Sequence, residues 1–279
     1  MDRQPLINQP LINQPLINQP LSNQPPTDQP ATPFSARVRS SFGRRAPFYG
    51  QQASLQRAVA WRLAHHLAAL PLPDGPRADL GAGTGLLGQA LQAQRPGIDL
   101  LQLDLCPELL THNPLTATGG QRIWDLERGL PAELGHASLL CSSFALQWLA
   151  DPLLQLRHWC CSLAPGGWLA LAVPTAGSFP EWHLAAARAA VACTALPLPE
   201  AASLESVARQ TLQPLHLERL RFSRRAGDGR HFLRSLRSLG AGPSPLPPLG
   251  TPQWRRLLQH WPAGERITWE LLVLVGQRR

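Results

Sequence analysis

Lysine is absent from this chain of 279 residues: all 26 of its Lys and Arg positions are arginine. No Schiff-base lysine is available, which excludes pyridoxal-phosphate chemistry, and no P-loop lysine is available for a Walker-type nucleotidase. Every fixed positive charge is instead a guanidinium, a planar fork suited to gripping carboxylate or phosphate. Charged residues are scarce, at 16%. No apolar run is long enough for a membrane span. The N-terminus lacks the apolar core of a secretory leader, so the expected location is the cytoplasm, with no membrane partner. The five cysteines (Cys106, Cys141, Cys160, Cys161 and Cys193) form no CxxC pair. Adjacent Cys160 and Cys161 fall in a helical pattern and point in different directions, so free buried thiols are expected and a metal site is not.

Proline (29) and tryptophan (9) are plentiful, hydrophobic residues reach 44%, and the net charge is +8. The charge suits an acidic partner through electrostatic steering, either nucleic acid or an acidic carrier protein; a merely basic surface is the plain alternative. Residues 4–33 repeat a five-residue unit, QPLIN three times and then QPLSN, QPPTD and QPATP. Proline at every fifth position forbids a continuous helix, and the unit is too short for a solenoid. Residues 1–33 therefore read as a disordered, polyproline-like tail ahead of one folded domain over 34–279.

Within that domain the apolar pattern alternates between strand and helix. Leu55, Val59, Leu63 and Leu67 recur at helical spacing over 54–70. Strands are expected at 78–80, 99–103, 137–142, 168–173, 215–222 and 267–275, with a further short apolar segment at Ile123 and Trp124. Helices are expected at 86–94, 152–163, 182–192 and 204–210. Such alternation predicts an α/β fold, a doubly wound and mostly parallel sheet covered on both faces. His65 and His66 are neighbours on a helix and cannot face one metal, so half-buried or solvated side chains are expected.

The sharpest signal is Asp79-Leu80-Gly81-Ala82-Gly83-Thr84-Gly85, where a strand leaves the sheet and a helix begins. Glycines there let the backbone turn tightly and approach a ligand. The third glycine comes earlier than in the dinucleotide fingerprint, a form suited to a ligand without a pyrophosphate. Asp79 would repel phosphate but can hold an ammonium group. Asp104 ends the second strand, where a carboxylate can accept both hydroxyls of a ribose. Asp125 follows the third apolar segment and can accept from an adenine amino group. Each acid alone is an ordinary cap or turn residue. Three at successive strand ends beside a glycine turn favour S-adenosylmethionine over a nicotinamide cofactor.

ADLGAGTG, LQLDLCPELL and IWDLERGLP resemble the first three cofactor motifs of class I methyltransferases, and CSSFALQWLADP…LRHWCCSLAPGGWLALAVP resembles their fourth strand, the following helix and the Pro-Gly-Gly turn before the fifth. The resemblance implies a Rossmann-like sheet of seven strands with an antiparallel last strand. It also implies cofactor contacts from Asp79, Gly81, Gly83, Gly85, Asp104, Leu105, Asp125 and Leu126. SFGRRAPFYGQQASLQR, FALQW, GSFPEWH, FLRSLRSLGAG and WRRLLQHWP…ITWELLVLVG are similar to one narrower family, the malonyl-acyl-carrier-protein O-methyltransferases of biotin synthesis. Departures are Ser138, where the family usually has Asp, Ser143, where it often has Asn, and a short segment between Asp104 and Asp125 that implies a trimmed helix.

This resemblance implies methyl transfer to the free carboxylate of a malonyl thioester, borne by an acidic acyl carrier protein or by coenzyme A. That carboxylate is already ionised near neutral pH, so no general base is required, but a cation to orient it is. Arg234 is the expected anchor, and Arg237, three residues on, the candidate for the carrier's phosphate or surface. Tyr49 is expected to close over the cofactor and contact substrate, Trp148 to pack on the pocket wall, and His183 to lie near the substrate side. Other readings are a methyltransferase of another small molecule, an RNA methyltransferase, and a non-catalytic protein that kept the fold. No aromatic-basic stacking motif supports nucleic acid.

Overall fold

The computed structural model describes residues 32–115 and 120–279, so the proline repeat lies outside the described residues except for Thr32 and Pro33. Seven strands form one sheet: β1 (Arg77–Leu80), β2 (Leu101–Asp104), β3 (Gln121–Ile123), β4 (Ala137–Ser143), β5 (Leu163–Pro174), β6 (Leu212–Arg225) and β7 (Arg266–Arg278). Their spatial order is β3-β2-β1-β4-β5-β7-β6. Pairing from β3 through β5 is parallel, and β7 inserts antiparallel to both β5 and β6. The doubly wound sheet with an antiparallel last strand expected from the sequence is the observed one.

The central strands are buried on both faces because helices cover both. Side chains alternate along each strand. Leu139, Cys141, Ala170, Ala172, Val273 and Val275 enter one core, whereas Leu140, Leu169, Leu171, Leu272 and Leu274 enter the other. The first core is closed by α3 (Ser54–Leu67), α4 (Leu86–Gln94), α7 (Pro180–Arg188), α9 (Gly229–Leu239) and α10 (Thr251–Gln259). The second is closed by α6 (Pro152–Cys161) and α8 (Ala201–Thr211), with Trp159 fully buried between helix and sheet. Three further helices, α1 (Pro33–Gly43), α2 (Ala46–Gln52) and α5 (Pro107–Thr111), pack together at the carboxyl ends of β1 and β2. Ala46, Cys106 and Leu109 form their small core beside Phe42 and Tyr49. The five-residue α5 is the trimmed helix anticipated between Asp104 and Asp125.

One expectation needs correction. Cys106, Cys141 and Cys160 are buried and free, but Cys161 is exposed and Cys193 half-buried. Consecutive helix positions differ by about 100°, so only one of the Cys160–Cys161 pair can face the core. His65 is exposed while half-buried His66 stacks on His216 of β6, ring centroids 4.0 Å apart. Among the described residues, no helix is long and apolar enough to cross a membrane, and no group of His, Cys, Asp or Glu is arranged to hold a metal ion.

Candidate active site

The glycine turn leaves β1 with Gly81, Gly83 and Gly85 all at positive φ, 76°, 55° and 76°. Gly81 and Ala82 donate their N–H groups to the Leu103 carbonyl, which ties the turn to β2. A Cβ on Gly81 would lie 2.2 Å from that of Ala145, and one on Gly85 would lie 2.2 Å from Asn113 Oδ1. Gly81 and Gly83 line the cavity above the turn; Gly85 does not. It serves instead as the left-handed N-cap of α4 and makes room for buried Asn113.

Asp79, Asp104, Leu105, Asp125 and Leu126 all line this first cavity, so three strand ends do bring their acids together. Asp104 is clamped: Oδ2 accepts from Gly83 N at 2.8 Å and Oδ1 from Cys106 N at 2.8 Å. Asp125 Oδ1 accepts from Glu127 N at 3.0 Å, capping a short turn of 3₁₀ helix while facing the cavity. Asp79 is only 1% exposed, and its Oδ2 is shut off from water without a hydrogen-bond partner. An unpartnered buried carboxylate oxygen is costly unless something cationic meets it. Burial, with the charge of Asp104 adding to it, pushes the Asp79 carboxyl up to about 7, against a backbone hydrogen bond from Gly88. Burial likewise pushes Asp104 up to about 6, against backbone hydrogen bonds led by Cys106. The pair is built for a ligand that is both cationic and rich in hydroxyls, and S-adenosylmethionine has that chemistry.

A pH dependence follows. A cation that meets the ionised pair would release protons on binding, and its affinity should fall about tenfold per pH unit per proton as pH drops below about 7. Titration calorimetry should find it falling more steeply below about 6. Stability of the unliganded protein has the opposite sign. Both carboxyls have folded values above their unfolded ones, so the folded state holds more protons between about 4 and 7. Their contribution is present at low pH and is lost as pH rises through the raised values. Thermal unfolding from pH 5 to 7.5 should show the liganded and unliganded curves diverging.

A second cavity lies against the first, and Phe42, Tyr49, Gln56, Phe144 and Trp148 line both. These five form a shared wall. Phe42 packs edge-on against Trp148, centroids 5.4 Å apart, and against Tyr49 at 6.1 Å. Tyr49 is the chain's only tyrosine, and burial followed by the Asp104 charge raises its phenol far above its ordinary value. It is therefore a proton donor over the whole working range. Phe144 and Phe179, both non-glycine residues at positive φ, hold rings against Trp269. Strain of about 1–3 kcal/mol at each is carried by the surrounding packing. Trp182 and Thr194 also line the second cavity, each with a buried polar atom that has no partner.

Two sequence-predicted residues, Arg234 and His183, sit elsewhere than expected. Arg234 is exposed and lines neither cavity, because it lies two positions after Phe232, nearly opposite on α9 from that buried ring. Arg237, one turn after buried Leu233, does line the second cavity. His183 is exposed, and its neighbour Trp182 faces the cavity instead. Ser138 lies at the opposite end of β4, where its hydroxyl donates to the Gly75 carbonyl at 3.0 Å; it has no part in the site. Ser143 is at the cavity, with a buried hydroxyl lacking a partner. Sequence reasoning missed Phe42, Gln56 and Phe144, although FALQW and SFGRR carry two of them.

A methyltransferase-domain family model matches residues 54–266. The chain is 33% identical over 239 residues to the biotin biosynthesis bifunctional protein BioCD of Bordetella avium, covering 82% of this chain and 50% of that protein. The chain thus spans half the length of that bifunctional relative. It is 31% identical over 248 residues to the malonyl-[acyl-carrier protein] O-methyltransferase of Magnetococcus marinus, covering 85% of this chain and 91% of that protein. Among solved structures, a geranyl diphosphate C-methyltransferase from Streptomyces coelicolor, in complex with S-adenosyl-L-homocysteine, superposes with a TM-score of 0.54 at 14% identity. That match covers 90% of this chain and all (100%) of the other, and at that identity it speaks for the fold.

Proposed function

The chain belongs to the malonyl-[acyl-carrier protein] O-methyltransferases, and on that premise we propose that it transfers a methyl group from S-adenosylmethionine to the free carboxylate of a malonyl thioester in biotin synthesis. The observation that carries this reading is the wall shared by the two cavities, which sets a cation-binding acid pair on one side and an aromatic-lined chamber on the other.

Bound S-adenosylmethionine supplies a methyl carbon that its sulfonium makes electrophilic. Asp79 would meet its cationic amino-acid end, Asp104 would accept from the ribose hydroxyls, and Asp125 would accept from the adenine amino group. Leu105 and Leu126 pack beside the base. The acceptor carboxylate is ionised at neutral pH and needs alignment and dehydration rather than deprotonation. Phe42, Phe144 and Trp148 exclude water from the wall. No arginine lines that wall among the described residues, so Tyr49 takes over the role first expected of Arg234. Its phenol donates to the carboxylate oxygen that is not methylated and leaves the other free to attack.

Incubating the protein with radiolabelled S-adenosylmethionine and malonyl carrier protein is expected to give a labelled, base-labile malonyl methyl ester. Label in RNA or in no acceptor would overturn the assignment. Tyr49→Phe removes one hydrogen bond to a charged group, a loss of about 1.5–3 kcal/mol. Single-turnover transfer should slow roughly 10- to 150-fold with cofactor affinity unchanged. A natural rate in that variant would take Tyr49 out of the reaction.

A further inference from the structure

The outer end of the second cavity opens into a shallow groove lined by Arg37, Arg44, Arg45 and Arg237, with Ser40 and Ser41 between them. Arg37 and Arg237 line both the cavity and the groove. Four guanidinium groups from α1, the turn after it and α9 thus meet at one mouth. Among the described residues, none of the four lies within ion-pair distance of a carboxylate, although four arginine–carboxylate pairs form elsewhere on the surface. Like charges gathered without a counter-charge raise the local potential and attract an anion.

Three of the four are also held in place. Arg37 donates from Nη2 to the Ser244 carbonyl at 3.2 Å and sits 5.7 Å over the Phe34 ring. Arg44 donates from Nη1 to Ser40 Oγ at 2.7 Å, and Arg237 sits 5.8 Å over the Trp254 ring. Guanidinium forks with their remaining donors free, interleaved with hydroxyls, suit the oxygens of a phosphate. The order of features supports the same assignment. From the inside outward come the glycine turn, the shared wall, the second cavity and the arginine groove. An acyl group that reacts at the wall must trail its carrier arm along the second cavity towards this mouth. Gln147 lines that route, with a buried Oε1 that has no partner and can accept from an amide N–H of the arm.

We propose that the arginine groove binds the phosphate that joins a pantetheine arm to its carrier, and so selects phosphorylated thioesters over shorter ones. This inference rests on the malonyl-thioester reading above. The test compares malonyl-phosphopantetheine with malonyl-pantetheine, which differ by one phosphate. The ratio of their kcat/KM values should be at least about tenfold in the natural protein and fall to near one in Arg37→Gln/Arg237→Gln. Cofactor affinity, measured by calorimetry on the same variant, reports whether it is folded. Should that variant not fold, Arg44→Gln/Arg45→Gln, which lie outside the second cavity, must lower the same ratio. A ratio near one in the natural protein, or one unmoved by substitution, overturns the inference while the malonyl assignment stands. Failure of the natural protein to methylate either compound, with cofactor binding intact, overturns the malonyl assignment and this inference with it. Sensitivity of malonyl carrier protein but not malonyl coenzyme A to Arg44→Gln/Arg45→Gln would assign the phosphate to the carrier. Equal sensitivity would assign it to the arm whatever its bearer.

Discussion

Asp79→Asn is expected to weaken S-adenosylmethionine binding about 30-fold or more while leaving the unliganded protein at least as stable as the natural one. The two halves of this result have one cause. Asp79 is fully enclosed, and one of its oxygens has no partner until a ligand arrives. In the unliganded state its charge is a burden, as the carboxyl pushed up to about 7 records. Asparagine has the same shape and keeps an oxygen for the Gly88 N–H, but carries no charge to desolvate. In the complex, truncating one partner of a buried charge pair costs about 2–5 kcal/mol, equivalent to some 30-fold or more in affinity. Asp104→Asn should behave differently. Both Asp104 oxygens accept backbone N–H groups, from Gly83 and Cys106, and an amide can satisfy only one of them. That variant should lose affinity and melt earlier. Titration calorimetry and thermal unfolding on the two variants separate the roles, and unchanged cofactor affinity in Asp79→Asn would remove the carboxylate from the site.

The cofactor half of this site was legible because it is local. A strand exit, three glycines at positive φ and acids at successive strand ends all sit within short sequence windows, and the parallel topology aligns them without further information. Helix α4 occupies the expected residues 86–94 because Gly85 supplies a left-handed cap and the apolar pattern then runs uninterrupted. β6 extends well past the expected 215–222 at both ends. The added residues are Leu212, Gln213 and Pro214 at one end and Ser223, Arg224 and Arg225 at the other, neither set alternating as a strand would; pairing with β7 brings both into it.

The acceptor half was not legible in the same way. Phe42, Phe144, Phe179 and Trp269 come from four distant segments and meet only in the folded chain. Phe144 and Phe179 reach their places through positive φ, a conformation that no sequence pattern of bulky residues announces. The Arg234 assignment failed for a more instructive reason. Three-residue spacing puts Arg234 and Arg237 near each other, but the stripe of Phe232, Leu233 and Leu239 fixes which of them turns inward. Reading the apolar stripe before the charges would have chosen Arg237. The same logic favours Trp182 over His183, since Trp182, Ala185 and Ala186 share the buried face of α7.

Gly81→Ala should both destabilise the fold and slow methyl transfer. Gly81 has φ 76°, where an L residue costs about 1–2 kcal/mol. The new Cβ would also lie 2.2 Å from the Cβ of Ala145, a methyl with no rotamer by which to retreat. Relief must come from backbone movement, and overpacking of this kind costs a further 1–3 kcal/mol or so. The movement falls where it matters. Ala145 directly follows Phe144 and precedes Trp148 by one turn, so displacing it shifts the shared wall against the glycine turn. A misplacement near 1 Å between aligned reactants costs on the order of 100-fold in rate. The Gly81→Ala/Ala145→Gly pair removes the clash but not the φ strain. It should recover about 1–3 kcal/mol of coupling energy in a double-mutant cycle read by denaturant unfolding, and a large part of the transfer rate. Strict additivity of the two substitutions would mean that the turn and the wall do not bear on each other, and that cofactor and acceptor are aligned by some other contact.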